Sequence, residues 1–323
     1  MSTGIAAPRR QRRRLARSEW LTVVGRALRT TRGRIGAGLA AFVVLVAIVG
    51  PLFAPDDPNA LLTTPYAPAS SEHWLGADGL GRDVLSRLLS GGGTLLLMAA
   101  LATLAGVAVG ALAGITATYK GGFWDAALMR PTDVLLAFPP VVLGLVLVSV
   151  LGPKLWLIVI AVAVGHAPQV ARVIRAATLD VAERDFVRSA ELTGLSDRRI
   201  IIRELLPNLT SPLMVELGLR LTYSIVLIAG LSFLGFGQQP PAANWGLMMN
   251  ENRPGLQANP YGILAPAAMV AVLTIGTNLV TDAVARVSGG SLRRSRGSLE
   301  PLLAGAHPQE ALEPPTGAGE GRL

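Results

Sequence analysis

Two ionisable residues within a long apolar stretch are the most unusual candidates for chemistry in this sequence. Glu216 and Arg220 lie four residues apart, so on a helix they would share one face and could form an ion pair. Pro212 suits the start of such a helix, which places Glu216 about one turn, or roughly 6 Å, from its beginning. If this apolar stretch crosses a membrane, an unpaired Arg at its centre costs at least about 2.5 kcal/mol of free energy, and pairing lowers that cost. One interpretation is that Arg220 extends to the lipid headgroups with Glu216 as its neutralising neighbour.

A second group of ionisable residues lies in the string HWLGADGLGRDVLSRLLSGG, from residue 73 to residue 92. The side chains of Asp78, Arg82 and Asp83, next to Gly81, could bind a metal or a phosphate, and His73 could act in catalysis. No second His or carboxylate cluster supports either role. We therefore predict a structural role for these residues, with no metal site and no catalytic site.

The same string predicts a short amphipathic helix. Its apolar side chains fall on one face and its polar side chains on the other. The apolar face comprises Val84, Leu85, Leu88 and Leu89, and the polar face comprises Arg82, Ser86 and Arg87. Such a helix could lie in the membrane interface.

The chain lacks the residues needed to hydrolyse a nucleotide. A phosphate-binding loop needs a Lys after a Gly-rich turn, but Lys120 and Lys154, the only two Lys, follow Thr-Tyr and Gly-Pro. The sequence has no Cys, which excludes disulfides and thiolate metal sites. His166 stands alone near the end of an apolar run, where hydrogen-bonded structure is the favoured interpretation over a proton relay. We predict that the chain is not an enzyme.

The composition indicates a membrane protein. The 323 residues are 51% hydrophobic and 15% charged, with a mean hydropathy of +0.48. Six apolar runs can each form a membrane span, and Pro139-Pro140 should bend the third. The predicted spans are residues 35–54, 94–118, 134–152, 155–171, 211–237 and 262–284. Gly106, Gly110 and Gly114 place a smooth stripe on the second span, which favours close helix packing.

The distribution of basic residues predicts the orientation. With both termini in the cytoplasm, 24 of the 29 Lys and Arg lie inside, four lie outside and Arg220 lies within the fifth span. The net charge of +8 and the pI of 10.8 then indicate attraction to anionic membrane lipid, and no nucleic-acid partner. We expect three regions: a cytoplasmic basic arm (1–34), a transmembrane domain (35–287) and a disordered cytoplasmic tail (288–323).

The longest polar segment between spans, DFVRSAELTGLSDRRIIIRELLPN, runs from residue 185 to residue 208, in a loop predicted at about 172–210. Helical spacing predicts two short helices with a turn at Gly194, which suits a left-handed helix end. Ser196 or Asp197 can cap the second helix, and Pro207 should stop it at Leu206. On local pattern alone, an amphipathic helix in a basic loop at the membrane surface is the simplest interpretation.

The order Ser189-Ala190, Gly194, Leu206-Pro207 resembles the cytoplasmic "EAA" loop of ABC-importer permeases. Arg188 stands where that family has Glu, and Glu204 where many members have Ile. The resemblance implies a coupling helix that docks in a groove of a separate ATPase. The residues of this loop on which we place that role are Arg188, Ser189, Ala190, Glu191, Gly194, Asp197, Arg203 and Pro207.

The string from residue 73 resembles the signature before the second span in dipeptide, oligopeptide and nickel permeases, specifically their C-type subunit. Its signature positions, expected on the external side, are Gly76, Asp78, Gly81, Arg82 and Asp83. The resemblance implies an all-α fold of six transmembrane helices, the type I ABC importer permease fold, in a prokaryotic cell membrane. It also suggests a second interpretation of Glu216 and Arg220, in which they line the inner half of the translocation path.

The implied function is import of peptides driven by ATP that partner subunits hydrolyse. The expected partners are a second homologous permease chain in a heterodimer, two ATP-binding subunits and an extracytoplasmic substrate-binding protein. ATP and Mg²⁺ would be used by those subunits, with no cofactor bound by this chain. Import of nickel or another small solute stays open, as does an ion-coupled secondary transporter, although such a transporter normally needs intramembrane acidic residues.

Overall fold

The computed structural model describes residues 21–297, and the side-chain surroundings only up to residue 289. Helices account for the regular structure of this part of the chain, which has only an isolated bridge between Ala77 and Asp83 in place of strands. A helix satisfies every backbone polar group within itself, which a lipid environment requires. Residues 21–29 of the basic arm are helical, and residues 1–20 lie outside the described part.

Twelve further helices follow, which we number in chain order. They are α1 (Thr31–Val49), α2 (Val84–Ser90), α3 (Gly93–Lys120), α4 (Gly122–Leu136), α5 (Pro140–Leu151), α6 (Leu155–Ala182), α7 (Asp185–Leu192), α8 (Asp197–Ile200), α9 (Leu206–Asn208), α10 (Thr210–Phe233), α11 (Trp245–Glu251) and α12 (Tyr261–Gly297). A 3₁₀ turn, Gly50–Phe53, extends α1, and a π turn, Ile201–Leu205, joins α8 to α9.

Five of these units are long and apolar enough to cross a membrane: α1 with its 3₁₀ turn, α2 with α3, α6, α10 and α12. The pair α4 and α5 makes a sixth if it is counted as one broken span. The sequence-based prediction of an all-helical, polytopic membrane protein is therefore confirmed.

The glycine stripe of the second span packs against the fourth span. An added Cβ would lie 3.0 Å from the Ala163 oxygen at Gly106, and 2.5 Å from the Ala167 oxygen at Gly110. The same carbonyl row continues at Gly114. Only glycine lets the backbones of α3 and α6 approach this closely. The predicted packing role of the stripe is confirmed.

The third span differs from the prediction. Its two helices, α4 and α5, are bent by 90° at the break between them. Pro139 takes an extended conformation with ψ 131°, and Pro140 starts the next helix. Because neither proline can donate a backbone hydrogen bond, the helix ends and restarts where a bend was expected. The prediction of a short loop between Lys120 and Arg130 is also wrong, since most of these residues belong to α4.

Two helices continue past the predicted ends of their spans. The fourth span was predicted to end at Ala171, but α6 continues to Ala182, so the inter-span loop starts about ten residues later than predicted. The sixth span continues as α12 to Gly297, into the tail predicted to be disordered from residue 288. Helical hydrogen bonding persists beyond the apolar stretch in both places because the next residues are compatible with a helix. Residues 298–323 lie outside the described part.

Candidate functional site

The polar segment 185–208, which we call the coupling segment, forms a compact unit on the ends of α3 and α6. Its buried side chains include Val187, Ala190, Ile200 and Leu205, and they join one apolar cluster with residues of both long helices. This burial fixes the segment to the membrane-spanning helices.

The turn of the coupling segment matches the prediction at Gly194. This residue has φ +72°, and an added Cβ would meet no atom within 4 Å, so its conformation and not crowding selects glycine. The Leu195 amide donates to the Ala190 carbonyl at 3.2 Å, which closes the end of α7. Ser196 occupies the N-cap position of α8 in an extended conformation, without a side-chain cap.

The prediction that Pro207 stops the second helix is wrong. The chain passes through the π turn, in which the Leu206 amide donates to the Ile201 carbonyl, and Pro207 lies inside α9. The wider turn accommodates the missing donor of Pro207. The break falls instead at Leu209, with φ −98° and ψ 7°.

The outer face of the coupling segment is exposed and charged. Among the residues predicted to act in coupling, Ala190 is buried and Pro207 half-buried, and the other six are exposed: Arg188, Ser189, Glu191, Gly194, Asp197 and Arg203. Leu192 fits the apolar stripe of this helix by sequence and is not among the residues predicted to act in coupling, yet it is 89% exposed at the end of α7. Leu192 thus adds an apolar side chain to this otherwise charged outer face.

Glu216 and Arg220 form the predicted ion pair, with 3.0 Å between Arg220 Nε and Glu216 Oε2. Arg220 also donates to Gln169 Oε1 of α6 and lies over the ring of Tyr223, 5.5 Å from its centroid. Both charged residues are buried. Arg220 thus faces the helix bundle and not the headgroups, which contradicts the snorkelling interpretation. A role in lining the translocation path stays a prediction.

His166 belongs to a buried series of hydrogen-bonded side chains, one helical turn along α10 from Arg220. Its Nε2 is 3.0 Å from Ser224 Oγ, which accepts a hydrogen bond from Thr103 Oγ1 at 2.9 Å. The three side chains come from α6, α10 and α3, so they join three spans. The predicted hydrogen bonding of His166 is confirmed.

Before the second span, the signature residues form a buried ion network. Asp78 Oδ2 lies 2.6 Å from Arg82 Nε and 3.4 Å from Arg87 Nε. Glu251 of α11 contacts both guanidinium groups, at 3.0 and 2.9 Å. Each charge has an opposite partner, and hydrogen bonds offset the cost of desolvation.

The network contradicts the prediction that α2 lies in the membrane interface with an exposed polar face. Ser86 and Arg87, assigned to the polar face of α2, are both 0% exposed, so α2 is covered on both faces. The sequence alone indicates no role for Glu251. In the structure it contacts Arg82 and Arg87, which also share Asp78. The signature glycines serve the tight turns around Asp78: an added Cβ at Gly81, with φ +79°, would lie 2.1 Å from the Thr63 oxygen.

Three further hydrogen bonds join the segments before α3 and before α12. Trp245 Nε1 donates to the Leu88 carbonyl at 2.8 Å, and Asn259 Nδ2 donates to the Ala77 carbonyl at 2.9 Å. The Gly79 amide donates to Asn252 Oδ1 at 3.2 Å. Residues 56–93 and 238–261 therefore form one folded unit, which we call the external cap after the side of the membrane on which the sequence predicts it.

Comparison with known proteins gives consistent matches. Residues 106–294 match the family described as binding-protein-dependent transport system inner membrane component. The chain is 36% identical over 236 residues to the glutathione transport system permease protein GsiD of Escherichia coli O157:H7, covering 73% of this chain and 74% of the relative. It is 35% identical over 269 residues to a putative peptide transport system permease protein of Brucella suis biovar 1, covering 83% and 90%. A structure of the MetNI methionine ABC transporter in inward-facing conformations matches with a TM-score of 0.47 and 17% identity, covering 60% of this chain and 93% of that chain.

Proposed function

Because the chain belongs to the family of binding-protein-dependent transport system inner membrane components, we propose that it forms half of a translocation path for short peptides. It is a multi-pass permease subunit of the prokaryotic cell membrane. The other half of the path is a second, homologous permease chain. An external substrate-binding protein delivers the peptide, and two ATP-binding subunits supply the energy.

The observation that carries this proposal is the two-sided coupling segment. Its inner face belongs to the apolar cluster that contains Ile115 of α3 and Ile174 of α6, while its outer face carries exposed charges and Leu192. A displacement of the outer face by an ATPase would therefore move two spanning helices. Packed helices transmit such shifts because a close-packed core does not deform continuously.

A further contact supports transmission from α7 to α3. The Tyr119 ring, at the cytoplasmic end of α3, packs against the apolar cluster that contains Val187 and Ala190 of α7. Neither Lys120 nor Lys154 lies in a phosphate-binding loop sequence, so hydrolysis belongs to the partners, with their ATP and Mg²⁺.

The proposal of peptides rests on the two relatives named for glutathione and peptide transport. Ion-coupled secondary transport is disfavoured because the buried acidic residue Glu216 is already paired with Arg220. The external cap provides a rigid surface for the binding protein, with exposed Trp74 and Leu80 among its apolar side chains.

Copurification of the chain from its native membrane tests the proposal. The expected complex contains two different permease chains, two ATP-binding subunits and a trapped peptide, all identified by mass spectrometry. ATP hydrolysis by the reconstituted complex should increase with the peptide-loaded binding protein. A complex without an ATP-binding subunit would refute the proposed energy source, and a bound nickel ion in place of peptide would refute the cargo.

A further inference from the structure

Three possible metal ligands from separate parts of the external cap converge on one point. Asp56 follows the first span, His73 starts the signature string, and Asp83 is the N-cap residue of α2. One ligand atom of each lies within 4.8 Å of the others. His73 Nδ1 and Asp83 Oδ1 are 3.3 Å apart.

Ser86 holds two of these residues in place. Asp83 Oδ2 accepts hydrogen bonds from the Ser86 amide and hydroxyl, both at 2.7 Å. This leaves Oδ1 facing His73. The Asp56 amide donates to Ser86 Oγ at 3.1 Å, so one buried side chain fixes both acidic residues. Such outer hydrogen bonds are typical around metal ligands, which they orient.

The charges around these three residues are not balanced by the neighbouring arginines. Arg82 and Arg87 are bonded to Asp78 and Glu251. In the part of the chain that the structure describes, no Arg or Lys makes an ion pair with Asp56 or Asp83, and Asp83 is only 2% exposed. Two carboxylates that converge beside an imidazole are stabilised by a cation.

We propose that Asp56, His73 and Asp83 bind a divalent transition-metal cation, with Zn²⁺ the best match to one imidazole and two carboxylates. Ligands about 2.0–2.2 Å from a tetrahedral zinc are roughly 3.3 Å from one another, which is the His73–Asp83 spacing. The Asp56 carboxylate, with a ligand atom within 4.8 Å of the other two, completes the set, and water takes the fourth position. The ion joins the segment after the first span to the loop before the second.

This proposal is independent of the transported solute, and it departs from the sequence-based prediction of no metal site. To test it, the full-length chain is purified with its partner subunits, stripped with EDTA and dialysed against Zn²⁺. Metal per chain is measured by mass spectrometry for wild type, Asp56→Asn, His73→Gln and Asp57→Asn. Asp57→Asn is the matched control because it removes the same charge one residue away. The Asp57 carboxylate accepts a hydrogen bond from the Asn59 amide at 2.8 Å.

Wild type and Asp57→Asn should hold one more zinc per chain than Asp56→Asn and His73→Gln. Their melting temperatures should rise with Zn²⁺, and Co²⁺ should give them tetrahedral visible absorption that His73→Gln lacks. Equal zinc content in all four proteins would overturn the proposal, as would an equal loss in Asp57→Asn and Asp56→Asn. If His73→Gln lowers stability only at acidic pH, without any metal effect, His73 acts as a protonated partner of Asp83 and the site does not bind metal.

Discussion

Arg87 and Glu251 are 164 residues apart in the sequence, yet Arg87 Nη2 donates to Glu251 Oε2 at 2.9 Å within the external cap. Arg82 Nη2 shares the same carboxylate oxygen at 3.0 Å. One carboxylate therefore joins α11, which lies between the fifth and sixth spans, to the segment that enters the second span. This relationship makes the external cap a single unit and gives the first prediction.

Glu251→Gln should destabilise the protein strongly. The change leaves two buried guanidinium groups with Asp78 as their remaining carboxylate, and breaking a buried ion pair by removing one partner costs about 3 kcal/mol or more. We expect a lower melting temperature in detergent, measured by intrinsic fluorescence. Glu72→Gln, at an exposed position in the same cap, is the control and should melt like wild type. A Glu251→Gln protein as stable as wild type would contradict the role of the network.

Gly194→Trp should uncouple ATP hydrolysis from transport while the chain still inserts in the membrane. A bulky side chain at this exposed turn would prevent docking of the coupling segment on an ATPase. Uptake and ATP hydrolysis are measured in reconstituted vesicles. Uptake should fall to near background, and substrate should no longer stimulate ATP hydrolysis.

Gly152→Trp is the matched control for that experiment. Gly152 has φ +90° and open space around its Cα, as does Gly194 with φ +72°. The backbone strain is therefore similar, but Gly152 lies in the turn between α5 and α6, predicted to be external. Normal coupling in Gly194→Trp, or equal uncoupling in both variants, would refute docking at this site.

The predicted orientation can be tested by cysteine labelling, because the native chain has no Cys. Ser70→Cys, in the external cap, should react with a membrane-impermeant maleimide in intact cells. Ser189→Cys, exposed on the coupling segment, should react only after the membrane is permeabilised. The opposite pattern would reverse the orientation, and labelling of both residues from one side would refute the six-span topology.

The Glu216–Arg220 pair should show strong thermodynamic coupling. Either single change, Glu216→Gln or Arg220→Gln, leaves one charge buried without its partner, whereas the double change removes both. We expect the double variant to lose less stability than the sum of the two single losses, by a coupling energy of about 0.5–3 kcal/mol. Thermal melting of the three variants and wild type measures this difference.

The same double variant tests the predicted path-lining role. If the pair forms part of the cytoplasmic gate, Glu216→Gln with Arg220→Gln should change the uptake rate or basal ATP hydrolysis while expression is maintained. Wild-type values for both in reconstituted vesicles would leave the pair with a packing role alone.

The sequence was sufficient for features that depend on local composition. Apolar runs of about 20 residues predict membrane helices because lipid offers no hydrogen bonds to an exposed backbone. Gly194 predicts a helix end through its left-handed conformation, and the spacing of Gly106, Gly110 and Gly114 predicts close helix packing. Each of these inferences requires only the conformational preference of a residue or the period of a helix.

The tertiary structure decided the features that depend on distant partners. Arg87 belongs by sequence to a polar helix face at the membrane surface, but Glu251 makes its burial possible from across the fold. Asp56, His73 and Asp83 are separated along the chain, and only folding brings their side chains together. The direction of Arg220 depends on Gln169 in another helix. The cost of burying a charge depends on which partners reach it, and that is set by the packing of the whole chain, not by the neighbouring residues in sequence.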